Sequence, residues 1–214
     1  MASQFDQYKP VHEETLAKVL QLMDGAAWKK SKEEPGITFY TAPAEGSSYT
    51  MVKSVVEIKA PIQDIINRVL NTATVEPTAP KEVMEKEGCR ERRLINTQND
   101  EEKNTFMYIN LLSASRLVSE RDFLMYRRLY NRDGKYISLN ISIVNDDIMP
   151  EQKGRVRAHM HFQAFIMEQI DPETVRLTFM CHADPKGSVP AMVYNSAAVG
   201  QGYSAKKILD EFSK

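Results

Sequence analysis

Six β-patterned segments follow one another in the second half of the chain, and no helical pattern separates them. Each is rich in β-branched or aromatic residues, and most alternate apolar with polar positions, which is typical of half-buried strands. The predicted strands span residues 89–96, 104–112, 121–130, 135–144, 154–170 and 174–183. Turn-forming residues lie between them, and the sequence NRDG at 131–134 predicts a tight hairpin. Because short turns join antiparallel strands, this region predicts one large antiparallel sheet.

Helical patterns lie on both sides of this region. Residues 1–26 carry apolar positions at helical spacing, and a second helix is predicted from Pro61, where apolar residues recur at i, i+3, i+4, i+7 and i+8. Residues 189–213 predict a long C-terminal helix that begins at Pro190. The predicted fold class is α+β, with helices packed on one concave face of a large antiparallel sheet.

Length and charge indicate a single soluble domain over residues 1–214. The 28 Lys and Arg residues nearly balance the 29 Asp and Glu residues, which argues against a nucleic-acid binder with a basic surface. No apolar run approaches the roughly 20 residues of a membrane-spanning helix, and residues 1–10 lack a signal-peptide core. Cys89 and Cys181 have neither disulfide-framework nor metal-site spacing. We therefore expect a reduced, cytoplasmic protein that needs no metal or cofactor.

The methionine count is unusual, at 11 residues. Methionine is flexible and polarisable, so it suits both irregular cores and the walls of adaptable cavities. On composition alone, ordinary core filling is the simpler interpretation.

One face of segment 154–170 predicts an unbroken apolar row, since strand side chains alternate between faces. Such a row must be covered by a core, a helix or a ligand. The row consists of Val156, Ala158, Met160, Phe162, Ala164 and Ile166.

Arg127 is the clearest anomaly of the strand faces. It shares one face of segment 121–130 with Phe123, Met125 and Leu129. A buried charge must be paired or hydrogen-bonded, because isolated burial is costly. Two explanations stay open at this point. The guanidinium either forms a salt bridge or reaches solvent, or it binds a polar or anionic ligand inside an apolar cavity.

Three segments, taken in order, resemble one known family. Residues 119–123 (SERDF) resemble the start of a central strand of StAR-related lipid-transfer (START) domains. Residues 149–158 (MPEQKGRVRA) resemble the corresponding loop and strand of its steroidogenic branch. Residues 184–190 (DPKGSVP), with Asn195, resemble the start of the family's last helix. The resemblance extends from about Trp28 to the C-terminus.

The resemblance implies a helix-grip fold, in which a curved antiparallel sheet of about nine strands surrounds a tunnel and the C-terminal helix closes it as a lid. It implies that one lipid binds in the tunnel and is carried between membranes without enzymatic chemistry. Residues 113–120 would guard the entrance together with the lid. The expected lining residues are Phe123, Met125, Val156, Ala158, Met160, Phe162 and Ala164 from the strands, and Met192, Val193 and Ala197 from the lid.

Arg127 also bears on the class of lipid. In the sterol-carrying branch, the matching Arg faces an acidic residue on the preceding strand, and the alignment puts Asn110 at that position. A sterol hydroxyl cannot balance a guanidinium, whereas a phosphate can. We therefore expect an anionic glycerophospholipid, bound by Arg127 with Asn110 as its polar neighbour. A sterol is the alternative ligand. With the alignment shifted by one residue, Tyr108 or Glu120 would be the residue that reaches Arg127 in place of Asn110.

A zinc-dependent hydrolase and a lipid sensor are the competing hypotheses. His159 and His161 share one strand face, and a two-residue turn at 172–173 would set His182 beside them, which would suit Zn²⁺. Arg157 on the same face disfavours a cation there. A sensor would bind lipid without transferring it.

For a lipid carrier we expect a monomer that contacts membranes transiently, with no nucleic acid and no obligate protein partner. Arg116, Lys206 and Lys207 lie near the expected entrance. Each basic residue near an anionic membrane is worth about 1 kcal/mol.

Overall fold

The structure is a computed structural model of the chain, and it describes residues 3–25, 27–71, 88–98, 100–113 and 118–213. Ten β-strands and four α-helices lie in these ranges. In chain order they are α1 (Lys9–Gly25), β1 (Lys29–Glu34), β2 (Ile37–Ala42), β3 (Met51–Lys59), α2 (Ile62–Asn71), β4 (Cys89–Thr97), β5 (Thr105–Leu111), β6 (Glu120–Arg132), β7 (Lys135–Ser142), β8 (Arg155–Arg157), β9 (His159–Asp171), β10 (Thr174–Asp184), α3 (Ala191–Ala198) and α4 (Tyr203–Phe212).

The strands form one sheet in the order β1-β2-β3-β10-β9-β7-β6-β5-β4, with antiparallel neighbours, while the short β8 pairs parallel to β6. The predicted large antiparallel sheet is therefore confirmed. The predicted hairpin is also confirmed, since Arg132 pairs with Lys135 across two residues. Asp133 and Gly134 have φ of 51° and 77°, the left-handed conformations that a type I′ turn requires.

The prediction of one continuous helix over 189–213 is wrong, because a 3₁₀ turn at Val199–Gly202 separates α3 from α4. Gly202 lies directly against the sheet. A Cβ at this position would stand 2.8 Å from the Phe39 ring, and the Ser54 hydroxyl donates to the Gly202 carbonyl at 2.8 Å. The chain is therefore pinned to the sheet between the two helices, and only glycine fits at that point.

The two faces of the sheet carry separate apolar clusters. We call the face covered by α2 and α4 the inner face, and the face covered by α1 the outer face. The inner cluster contains Phe39, Val56, Ile58, Ile65, Met107, Phe123, Met125, Ala158, Met160, Phe165, Met167, Phe179, Ala205 and Ile208 among others. The outer cluster contains Leu16, Val19, Ile137, Leu139, Phe162, Ala164, Ile166 and Met180 among others.

A β-bulge in β9 divides the predicted apolar row between these faces. Met160 pairs with Ala183 and Phe162 pairs with His182, so His161 is an extra residue on β9. An extra residue reverses the inward and outward alternation beyond it. Ala158 and Met160 lie in the inner cluster, whereas the row beyond the bulge packs under α1. The prediction that Phe162 and Ala164 line the same interior as Met160 is therefore wrong.

The outer face holds α1 through a fully buried histidine. His12 Nε2 donates to the Leu139 carbonyl at 3.2 Å, so its Nδ1 accepts from the Tyr130 hydroxyl at 2.7 Å. Arg128 adds ion pairs to Glu13 of α1 and to Glu102. Burial lowers the pKa of His12 to about 3, so this histidine stays neutral. No helix in the described ranges is both long and apolar enough to cross a membrane.

His12 should make the protein acid-sensitive. Because the unfolded chain takes up a proton near the usual pKa of about 6.5 and the folded chain does not, folding stability should fall as the pH drops from 6.5. This group alone should remove about 2 kcal/mol between pH 6.5 and 4.5. Urea unfolding at several pH values measures the effect. His12→Gln should be less stable at pH 7.5 but lose less of its remaining stability on acidification; a pH slope equal to that of wild type would contradict the prediction.

Candidate functional site

A row of polar side chains crosses the inner face at one level. Strand register sets Thr105 opposite Arg127, Arg127 opposite Asn140, Asn140 opposite Gln163, and Gln163 opposite Cys181. Directly opposed residues point to the same face of a sheet. Cys181 belongs to the inner cluster, so the whole row faces inward. We call these five residues the inner polar row.

Arg127 is 4% exposed and stands at the centre of this row on β6. Its Nη1 donates to the Leu70 carbonyl at 2.7 Å, near the C-terminal end of α2, where the helix dipole is negative. Among the residues that the structure describes, no carboxylate forms an ion pair with it, and its Nε has no partner. Burial lowers its pKa to about 10, so the guanidinium remains charged at neutral pH. The inner face therefore holds a positive charge without a protein counter-ion in the described ranges.

The rest of the row leads towards the C-terminal helices. Asn140 Nδ2 donates to Gln163 Oε1 at 3.0 Å. The Cys181 thiol donates to Gln201 Oε1 at 2.9 Å, and Gln201 Nε2 donates to the Tyr194 hydroxyl at 2.8 Å. Burial raises the pKa of Cys181 to about 12, which keeps the thiol protonated as a donor. Side chains at the middle of the sheet are thus linked to α3 by hydrogen bonds.

A cleft of about 640 Å³ opens between the end of α2 and the β6–β7 end of the sheet, and Arg127 itself does not line it. Leu70, whose carbonyl holds the guanidinium, lines it, as does Leu129, two residues along β6 on the same face as Arg127. Tyr136, Lys103 and the carboxylates of Asp100 and Glu101 add polar groups to the wall. The volume lies in the range of small-molecule sites.

Four of the predicted lining residues share the inner cluster: Phe123, Met125, Ala158 and Met160. Met107, Met125, Met160 and Met167 bring four methionines to this one face. Flexible thioether side chains can repack around different apolar shapes. These methionines are at most 7% exposed, and Met51 and Met180 lie in the outer cluster, so their positions fit ordinary core filling as well as an adaptable interior. Val156 lies in β8 and is not part of this cluster.

The predicted polar neighbours of Arg127 lie on the other face. Asn110 pairs with Asp122 and Tyr108 with Leu124, whereas the residue opposite Arg127 is Thr105. Since alternate residues change face, Tyr108 and Asn110 point outward while Arg127 points inward. The expectation that they accompany Arg127 is wrong.

Tyr108 instead belongs to a buried ionic network on the outer face. Asp122, which is 1% exposed, accepts from Arg157 at 3.1 and 3.2 Å and from the Tyr108 hydroxyl at 2.9 Å. Arg155 donates to Tyr108 at 2.6 Å and to Glu91 at 3.2 Å. Burial is the largest cause that raises the pKa of Tyr108 to about 12. Asn110 donates to Glu120 at 2.8 Å beside this network.

This network and the adjacent Arg121 together join the three sequence segments that carry the family resemblance. Arg157 of the second segment also donates to the carbonyls of Met149 and Pro150 at 3.2–3.3 Å. Arg121 of the first segment donates to the carbonyls of Pro185 and Lys186 of the third, both at 3.2 Å. These motifs are therefore neighbours in space, and their polar residues hold one end of the sheet together.

The predicted lid residues face away from the sheet. Met192 is 81% and Val193 is 54% exposed, and Ala197 is exposed as well. The opposite side of α3 is held by Asn195, which accepts from the Thr50 amide and donates to the Ser48 carbonyl, each at 2.9 Å. The prediction that Met192, Val193 and Ala197 line the interior is thus wrong for this conformation. Of the predicted entrance loop, residues 114–117 and with them Arg116 lie outside the described residues.

The three histidines of the zinc hypothesis do come together. The rings of His161 and His182 stack at 4.3 Å with an interplanar angle of 14°, and His159 lies 4.6 Å from His161. A zinc ion must lie close to the plane of each ligating ring at about 2 Å, and two parallel rings this far apart cannot share one. Burial lowers the pKa of all three, that of His182 to about 4. In the described part of the chain, no group of three His, Cys, Asp or Glu residues is arranged to hold a metal ion.

Comparison with known proteins settles the family. A model described as the START domain matches residues 11–207, which is most of the chain. The chain belongs to the START domain family. The sheet, the helices on its inner face and the C-terminal helix match the helix-grip fold that the sequence motifs imply.

Three proteins that this START domain resembles are distant from it in sequence. Human StAR-related lipid transfer protein 5 aligns with a TM-score of 0.76 at 19% identity, over 98% of this chain and 100% of that one. A STAR-related lipid transfer protein fragment from Xanthomonas axonopodis gives 0.69 and 19%, over 87% and 99%. An uncharacterized protein of Pseudomonas aeruginosa is 21% identical over 172 residues, which is 80% of this chain and 79% of that protein. At these identities the solved structures establish the fold alone.

Sequence reasoning missed Asn140 and Gln163 in this START domain, although a signal for Asn140 was present. The hairpin at Asp133-Gly134 fixes the register of β6 and β7, and equal counting back from it sets Arg127 opposite Asn140. The partner of Gln163 could not be found by the same counting. A bulge next to the β9–β10 turn shifts the pairing of these two strands by one residue.

The buried network predicts a large loss of stability for Asp122→Asn. The substitution leaves Arg157 charged and unpaired, which typically costs about 3 kcal/mol in the free energy of unfolding. Tyr108→Phe is the matched control, since it removes two hydrogen bonds but no charge and should cost about 2 kcal/mol. Urea unfolding of both variants measures the difference, and an Asp122→Asn loss no larger than that of Tyr108→Phe would overturn the assignment.

Proposed function

We propose that this START domain binds one anionic glycerophospholipid between the inner face and its covering helices and carries it between membranes. Family membership and relatives named as lipid transfer proteins support lipid binding and transfer. The inner cluster, with its four methionines, suits acyl chains. The choice of an anionic lipid rests on Arg127.

The charge of Arg127 is the reason for proposing a phospholipid and not a sterol. A guanidinium buried without a carboxylate is destabilising, and one helix carbonyl offsets only part of the cost. A phosphate group supplies a full negative charge and can accept two hydrogen bonds from one guanidinium. A sterol hydroxyl supplies neither.

The exposed side of α3 supports transient contact with membranes. Met192 and Val193 present apolar surface on a helix that Asn195 ties by hydrogen bonds to the loop before β3. Val118, near the other predicted part of the entrance, is also an exposed apolar residue. Apolar side chains of this kind gain free energy when they enter the membrane interface. We propose on this basis a cytoplasmic carrier that visits membranes.

The inner polar row is proposed to bind the lipid and not to catalyse a reaction on it. Arg127, Asn140 and Gln163 can hold charge and hydrogen bonds, but the inner polar row contains no general base, and its thiol is kept protonated by burial. The stacked histidines lie on the other face of the sheet. The proposal requires no cofactor, and the bound lipid is the ligand.

Arg127→Leu should weaken binding of anionic phospholipid by about tenfold or more, because a charge-assisted contact to phosphate is lost. The measurement is lipid taken up from vesicles of phosphatidylglycerol and phosphatidylcholine, quantified by native mass spectrometry of the re-isolated protein. Arg128→Leu is the control, since this neighbour faces outward to Glu13 and Glu102. Thermal unfolding of both variants shows that the fold survives. Equal uptake by Arg127→Leu and wild type, or a sterol as the native ligand, would remove the head-group assignment.

Val193→Asp should slow vesicle-to-vesicle lipid transfer by about tenfold, because a charge replaces an apolar side chain that enters the membrane. Val11→Asp is the matched control, since Val11 is 49% exposed but lies on α1 at the outer face. The assay follows a fluorescent phospholipid from donor to acceptor vesicles. If both variants transfer lipid at the same rate, α3 is not the membrane-contacting element.

A further inference from the structure

We propose that Asn140 is a second head-group contact, and that it selects phospholipids whose head group carries a hydrogen-bond donor in addition to the phosphate. A glycerol hydroxyl is the simplest such donor. The inference rests on the proposed function, because it takes the phosphate to lie at Arg127.

Arg127 and Asn140 are direct cross-strand neighbours. They pair in the register of β6 and β7, where opposed side chains of one face stand roughly 5 Å apart at Cβ. Both are buried, at 4% and 3% exposure. A group that reaches the Arg127 guanidinium on the inner face is therefore within reach of the Asn140 amide.

Each of the two side chains has one buried polar atom without a partner among the described residues. For Arg127 this atom is Nε, a donor, and for Asn140 it is Oδ1, an acceptor. Buried polar atoms are usually satisfied. Asn110 Oδ1 and Arg128 Nε on the outer face also lack partners among the described residues, but of these four side chains only Arg127 and Asn140 are direct cross-strand neighbours. The two atoms do not satisfy each other in this structure.

Gln163 fixes the orientation of the Asn140 amide. Asn140 Nδ2 donates to Gln163 Oε1 at 3.0 Å, on the β9 side of the strand. Because the amide is planar with nitrogen and oxygen on different sides, Oδ1 is turned away from Gln163. Asn140 Oδ1 is thus the acceptor that is left without a partner among the described residues.

The chemistry of the missing partner follows from these two atoms. Arg127 Nε needs an acceptor, and its charge favours an anion, so a phosphate oxygen fits. Asn140 Oδ1 needs a donor, which the phosphate of a phosphodiester does not have because its one acidic group is ionised at neutral pH. A phosphodiester that bears a hydroxyl supplies both groups, whereas choline and methyl esters leave Oδ1 unsatisfied. An unsatisfied buried acceptor should reduce affinity by about tenfold.

The test compares phosphatidylglycerol with phosphatidylmethanol, which has the same charge and the same acyl chains but lacks the hydroxyls. The full-length protein is incubated with vesicles that contain equal amounts of these two lipids and phosphatidylcholine. It is then re-isolated, and its bound lipid is identified by mass spectrometry. Wild type should retain phosphatidylglycerol over phosphatidylmethanol by about tenfold.

Asn140→Leu should abolish this preference while both anionic lipids still bind better than phosphatidylcholine. Ser138→Ala is the control, since Ser138 lies two residues away on the same strand and face and should keep the wild-type ratio. If Asn140→Leu does not fold, the wild-type ratio alone decides.

The outcomes separate the two proposals. Equal retention of phosphatidylglycerol and phosphatidylmethanol by wild type, with both favoured over phosphatidylcholine, overturns the role of Asn140 and leaves Arg127 in place. A preference for phosphatidylmethanol also overturns it. If neither anionic lipid exceeds phosphatidylcholine, the anionic-lipid function itself fails.

Discussion

The ion pair between Asp122 and Arg157 is the contact on which the end of the sheet near α3 depends. It joins β6 to β8, and through the Met149 and Pro150 carbonyls it also holds the loop before β8. The next residue back, Arg121, points to the other face and holds the turn before α3. Two adjacent residues of one strand therefore fix three distant segments, because strand neighbours point in opposite directions.

The charged side chains of β6 differ in their partners between the two faces of the strand. On the outer face, Asp122 and Arg128 have ionic partners on other elements, as expected for charges that contribute to folding. On the inner face, Arg127 has only a helix carbonyl and stands beside an amide with an open acceptor. Arg128 Nε and Asn110 Oδ1 on the outer face also lack partners among the described residues, so what distinguishes Arg127 is a buried charge with no ionic partner there.

The sequence was sufficient for the sheet, the hairpin and the inward position of Arg127, because these depend on local alternation and turn chemistry. It was not sufficient where long-range packing decides. The bulge at His161 leaves no periodic trace, so the inner residues of β9 were misassigned beyond it. The break between α3 and α4 follows from contact of Gly202 with Phe39, which no helical pattern reveals. Asn110 was placed by alignment across a deletion, and the register of β5 shows it on the wrong face.

The hairpin at Asp133-Gly134 also bears on how the candidate site is assembled during folding. Arg127 and Asn140 are brought together by a two-residue turn, whereas Gln163 and Cys181 join the row through the separate β9–β10 ribbon. Isolated hairpins close in roughly 1–10 μs, much faster than sheets built from distant segments. Arg127 and Asn140 can therefore be in register on their hairpin before the helices cover the inner face. In that order of events, the guanidinium is buried only after the two side chains have become neighbours.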